Sequence, residues 1–121
     1  MPSILLIALG GAIGSVLRYL LAQFVHLFFE RGFPMGTLAV NFIGSFLIGF
    51  LSVIIFRRVS HQALSCFWLI GFLGGFTTFS TFSLDTVNLI TSGKMAAAVT
   101  NVLLSVGLCL LATFLGIWLA E

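Results

Sequence analysis

Gly74-Gly75-Phe76-Thr77-Thr78-Phe79-Ser80-Thr81-Phe82-Ser83 lies inside a long apolar segment covering roughly 66–90. As one uninterrupted membrane helix this segment is poor. Paired glycines and several threonines have weak helix propensity, and the hydroxyls compete for nearby backbone groups. A helix interrupted within a bilayer leaves amides and carbonyls without internal partners. Lipid tolerates that only where the freed groups face protein, water or an ion. The stretch therefore predicts a span broken at mid-membrane near 74–78, and an ion site as the use of the break.

The rest of the chain fits a membrane setting. Of 121 residues, 60% are hydrophobic and 7% charged, with a mean hydropathy of +1.26. Four apolar segments, roughly 4–29, 34–56, 66–90 and 95–119, each exceed the ~20 residues a spanning helix needs. The expected fold is a single all-α membrane domain over 1–121 with four transmembrane helices, the third of them broken. No basic residue precedes the first apolar run, so that helix is expected to be retained rather than cleaved as a signal peptide. Four helices make a thin bundle in which to house a site, so an oligomer is expected.

The net charge of +2 is too small to argue for nucleic acid. Cys66 and Cys109 have neither metal-ligand nor disulfide-framework spacing and read as buried free thiols. The basic residues carry more information. Arg57 and Arg58 lie on the side of the membrane shared with the termini, and Arg31 and Lys94 lie on the other. This balance selects neither orientation. Insertion both ways, and an antiparallel pair about a two-fold axis in the membrane plane, follow as expectations.

Gly10 and Gly14 have the spacing that lets helix backbones approach closely in lipid. Arg18 lies deep in the first segment, where a charge must pair, reach water or snorkel. Tyr19 and His26 read as interfacial residues. Pro34 suits the first turn of the second helix. Asn41, Ser45 and Gly49 share one face of that helix, and Asn101, Ser105, Cys109 and Thr113 repeat the pattern in the fourth. Each four-residue step drifts by about 40°, so each stripe winds slowly along its helix. Asn41 is the costliest of these to expose to lipid, which points to a pathway or site role; Ser45 reads as packing. Asp85 is the acid well inside an apolar segment, available as a ligand, a mouth residue or a partner for Arg18.

No nucleophile–base pair, metal-ligand cluster or phosphate loop is visible, which argues against an enzyme. Donors from Asn41, Ser80 and Thr113 can replace part of a small anion's hydration shell. The positive edges of the Phe79 and Phe82 rings are weakly attractive to an anion while narrowing the passage. Carbonyls freed around Gly74 and Thr77 are hard oxygen ligands suited to a small cation. On a two-fold axis, two such carbonyls per chain become four.

Gly-Gly-x-x-Gly-x-x-x-Arg-Tyr in the first segment, Gly-Thr-Leu-x-Val-Asn at 36–41 and the organising stretch in the third, together with length and span count, resemble the CrcB/Fluc fluoride channels. The resemblance implies an antiparallel dual-topology homodimer with two pores in the bacterial inner (plasma) membrane. It implies a structural, untransported sodium ion at the dimer centre on the carbonyls of Gly74 and Thr77. It implies a fluoride path along Phe79, Phe82, Asn41, Ser80 and Thr113, with Arg18 matching the family's first-segment arginine. Asp85 stands where many members are expected to carry glutamate. The implied function is passive export of fluoride from the cytoplasm across the lipid bilayer. The alternative is a small four-helix multidrug exporter, which would need an acid in the first segment; none occurs before Glu30. A non-transporting assembly subunit is a third reading.

Overall fold

The computed structural model describes residues 2–29, 32–59 and 61–121, with the backbone alone at 58 and 59. The chain is all-helical: α1 (Ser3–His26), α2 (Met35–Val53), α3 (Gln62–Leu64), α4 (Leu73–Phe76), α5 (Phe79–Thr91) and α6 (Met95–Ala120). Wider π-helical turns extend α2 through Ile54–Val59 and join α3 to α4 through Ser65–Phe72. Four stretches are long and apolar enough to cross a membrane: Ser3–His26, Met35–Arg57, Gln62–Thr91 and Met95–Ala120. The side chains of Arg31 and Arg58, two of the four basic residues in the loop balance, lie outside the described residues.

Two boundaries differ from the hydropathy reading. The first helix stops at His26 rather than near 29, tightening as the Leu27 and Phe28 amides donate to Phe24 and Val25. Phe28 and Phe29 are apolar enough to continue the pattern, so hydropathy alone does not mark this end. The third span starts at Gln62 rather than near 66, because a polar residue at a helix end is compatible with the membrane surface and lowers only the average. Pro34 lies immediately before α2, and its carbonyl accepts from the Leu38 amide at 3.2 Å. The helix thus starts where the missing proline N–H costs nothing.

Glycine sets how closely the spans approach. A methyl group on Gly14 would strike the Phe72 carbonyl and come within 3.0 Å of the Phe76 amide. One on Gly10 would strike the Phe67 carbonyl and stand 2.8 Å from the Phe72 amide. These two residues seat α1 along the first half of the third span. On the other side, a methyl on Gly49 would hit the Thr113 carbonyl, and one on Gly116 the Phe46 carbonyl. These contacts join α2 to α6, so that α2 occupies the centre of the bundle. Where α2 meets the third span, Val40, Leu73 and Phe76 form the buried core. The bundle's outer faces stay apolar. Only 11% of the most apolar stretch of α1 and 17% of that of α6 is buried within the chain, so those faces must meet lipid or another chain.

Gly14→Ala is expected to destabilise the protein by about 1–3 kcal/mol through overpacking against fixed backbone. Gly107→Ala, whose added methyl meets nothing within 4 Å, is expected to be neutral. Thermal unfolding of both variants in detergent checks the contrast.

Candidate functional site

Between α4 and α5 the backbone leaves helical geometry for two residues. Thr77 has φ −89° and ψ 158°, and Thr78 has φ −150° and ψ 120°. The consequences follow from where the amides go. In a continuous helix the Thr78 amide would donate to Gly74 and the Thr81 amide to Thr77. Instead the Thr78 N–H donates to Asn41 Oδ1 at 2.8 Å, and the Thr81 N–H donates to Thr78 Oγ1 at 3.1 Å, capping α5. The carbonyls of Gly74 and Thr77 are thereby deprived of their ordinary helical donors. The Thr78 carbonyl is retained by the same asparagine, whose Nδ2 donates to it at 3.0 Å. Asn41 therefore bonds both backbone groups of one residue, using its donor and its acceptor together.

Helix α2 also supplies the space for this turn. A methyl on Gly44 would overlap Thr77 Cγ2 and come within 3.3 Å of the Phe76 ring. Thr77 closes α4 from the other side, its amide and its hydroxyl both donating to the Leu73 carbonyl at 3.0 and 2.9 Å.

Two cavities flank the turn. The first is an open groove of about 460 Å³ lined by Asn41, Gly74, Thr77, Thr78, Phe79 and Phe82, with the small residues of α2 and α6 behind them. The rings of Phe79 and Phe82 stand 5.4 Å apart at 50°. Phe79 is 77% exposed, so one protomer walls it on one side only. The second is a vestibule of about 840 Å³ between α1, the α1–α2 turn and α5, lined among others by Thr37, Thr81 and Asp85. The two cavities are linked by hydroxyls: Thr78 Oγ1, in the groove, donates to Thr81 Oγ1, in the vestibule, at 3.1 Å.

The groove thus gathers Asn41, Phe79, Phe82, Gly74 and Thr77. Ser80 is exposed beside it, its hydroxyl 3.3 Å from that of Thr78. Thr113 lies behind the groove lining, its hydroxyl within bonding distance of the Ser45 carbonyl (2.9 Å) and the Cys109 carbonyl (3.1 Å). Arg18 is half-buried on α1 and lines neither cavity. The suggested Arg18–Asp85 pair does not form. Asp85 Oδ2 instead accepts from Thr37 Oγ1 at 2.8 Å, and the one ion pair among the described residues is Arg57–Glu121. A charge pairing inferred from composition misses a hydroxyl that the fold places nearer. Thr37, Thr78 and Thr81 escaped the residue-by-residue reading. The signal for Thr37 was present, since it stands one helical step before Asn41 on the same stripe.

The fourth-span stripe ties α5 to α6. Asn101, 2% exposed, donates from Nδ2 to Thr86 Oγ1 at 3.0 Å and accepts at Oδ1 from Ser105 at 3.3 Å. Cys66 and Cys109 are both free.

Residues 5–117 match the family described as CrcB-like protein, Camphor Resistance (CrcB), and the chain belongs to it. It is a multi-pass cell-membrane protein. Similar proteins include one from Magnetococcus marinus, 51% identical over 92% of this chain and 91% of its own length. Another from Geobacter sulfurreducens is 52% identical over 100% of this chain and 98% of its own. One from Coxiella burnetii is 47% identical over 95% and 94%. Each of these relatives is named a fluoride-specific ion channel, FluC.

Asn41→Ala is expected to lose on the order of 1–3 kcal/mol, chiefly for the Thr78 N–H left unpaired. Asn41→Asp, which keeps the acceptor and removes the donor, is expected to restore only part of that. Thermal unfolding of the two variants against the parent is the measurement.

Proposed function

We infer that this protein is a fluoride-selective ion channel, not an enzyme, through which cytoplasmic fluoride leaves passively. The observation that carries the reading is the groove, where phenylalanine rings, a clamped asparagine and hydroxyls converge on one polar turn inside an apolar bundle. The names of relatives near 50% identity over their full lengths support it.

The mechanism follows from what these groups offer an anion. Fluoride must shed water to enter a narrow apolar passage. Ring edges of Phe79 and Phe82 and hydroxyls such as Ser80 replace part of that shell. Asn41 acts chiefly by holding the Thr78 peptide, and Thr113 by closing the α2–α6 seam behind the path. A small, strongly hydrogen-bond-accepting anion gains most from short donor contacts, whereas a larger halide meets the rings first. Fluoride enters cells as uncharged hydrogen fluoride and ionises inside, so gradient and membrane potential suffice to drive it out.

The exposure of Phe79 on one side supports a wall supplied by a second copy, in an antiparallel dual-topology homodimer. The two extended residues at Thr77 and Thr78, roughly halfway along Gln62–Thr91, support a third span broken at mid-membrane. For the structural sodium ion the donor chemistry fits. The carbonyls of Gly74 and Thr77 are among the four that lose helical donors at the end of α4, a methyl on Gly74 would meet nothing within 4 Å, and among the described residues no cluster of His, Cys, Asp or Glu competes as a metal site. Gly74 and Thr77 of both copies would hold it, and when bound it would supply a fixed positive charge between the two anion paths.

Purified protein in liposomes is expected to release fluoride rapidly and to exclude chloride; an ion electrode reads both, and fluoride efflux no faster than from empty liposomes would sink the channel reading. Phe79→Ile and Phe82→Ile are expected to impair fluoride efflux while the dimer persists on size-exclusion chromatography. Exchange into sodium-free buffer with a bulky organic cation is expected to reduce efflux, and returning sodium to restore it.

A further inference from the structure

Phe82 is anchored to a helix other than its own. Thr86 lies one turn beyond it on the same face of α5, and the Thr86 hydroxyl donates to the Phe82 carbonyl at 2.8 Å. The same oxygen accepts from Asn101 Nδ2 on α6 at 3.0 Å. Asn101 accepts in turn at Oδ1 from the Ser105 hydroxyl at 3.3 Å. The bonds form one directed chain from Ser105 through Asn101 and Thr86 to the Phe82 carbonyl. It starts and ends in the groove, which Ser105 and Phe82 line, and runs behind it through two residues that do not. Asn101 is 2% exposed and Ser105 7%, so little water competes for these bonds. Phe79 is held differently: its carbonyl accepts from Ser83 Oγ at 3.0 Å, a bond that stays within α5.

Apolar packing leaves the rotation of α5 open. Leu89 is its one buried residue, and lipid gives helices little hydrophobic reason to associate. Polar ties must therefore set how α5 sits. The Asn41–Thr78 and Thr37–Asp85 bonds both run to α2. The Asn101–Thr86 bond is the tie to α6, one turn from the ring it steadies.

We propose that Asn101 and Thr86 are positioning residues of the anion path, which brace α5 against α6 and so hold the Phe82 ring in place at the groove. The proposal rests on the channel reading for what the groove passes, which is fluoride. Neither residue lines the groove, so neither acts by touching the ion. A ring offers an anion its edge only in one orientation, because its faces are negative. That orientation follows the rotation of α5 about its own axis. The brace fixes the rotation, and its loss lets the edge of Phe82 turn away from the passage while the spans stay assembled.

The test uses full-length protein, with fluoride efflux measured from liposomes and the ring observed by fluorine NMR in detergent after 4-fluorophenylalanine is installed at position 82. Thr86→Val keeps the side-chain shape and removes the hydroxyl; Asn101→Ala removes the amide that reaches it. Each is expected to lower efflux by roughly fivefold, the weight of one net hydrogen bond, and to shift or broaden the resonance at position 82. Thr86→Ser, which returns the hydroxyl, is expected to restore both. The double variant is expected to lose no more than the larger single effect, since both changes cut one chain of bonds. Thr100→Val is the control: its hydroxyl donates to the Ala96 carbonyl at 2.8 Å within α6, and parent efflux is expected. Should Asn101→Ala fail to fold, Thr86→Val against Thr86→Ser decides. If the parent conducts fluoride and Thr86→Val keeps both its efflux and its resonance, the brace is wrong and the channel reading stands. Single effects that multiply in the double variant would overturn it as well. If the parent itself passes no fluoride, the channel reading falls and the proposal with it.

Discussion

One asparagine holds the arrangement together. Asn41 takes the Thr78 N–H out of the helical ladder and adds a donor to the Thr78 carbonyl, which opens the ladder of α5. Without it, the turn at Thr77 and Thr78 would place an unpaired Thr78 amide inside an apolar bundle, at a cost of about 1–3 kcal/mol. With it, the chain reverts to helix at Phe79 under the Thr78 cap. The carbonyls that lose their helical donors are the four at the end of α4, Gly74 to Thr77. A polar backbone edge is thus created within a membrane protein while both backbone groups of Thr78 remain satisfied.

This clamp depends on the small residues around it. Gly44 leaves room for Thr77, and Gly10 and Gly14 hold the first half of the third span against α1. Gly49 and Gly116 bring α2 and α6 together, which fixes the side of α2 on which Asn41 points. In lipid there is little hydrophobic gain from helix association, so close backbone approach and interhelical hydrogen bonds must do this work. The Thr113–Ser45 and Asn101–Thr86 bonds are of that kind. The polar stripes of the second and fourth spans are therefore largely structural, and the groove is lined where they meet the turn.

The two cavities differ in chemistry. The vestibule is rich in donors and carries a cation. The groove is open and largely apolar, with Phe79 and Phe82 on one wall. Between them runs a short chain of threonine hydroxyls.

Much of this was legible in the residues. Four apolar runs, a glycine pair beside threonines in the third, and Asn41 alone among costly polar side chains in the second mark the spans, the weak point and its neighbour. These are local properties: hydropathy and backbone propensity do not wait for a fold. Which groups face one another is a different matter. That Asn41 serves the Thr78 peptide before any ion, that Asp85 takes Thr37 in place of Arg18, and that Tyr19 and His26 share a cavity with Lys94 were decided by how the helices cross. Hydrogen bonds are short and directional, and a helix rotated by one residue, about 100°, would have delivered a different set.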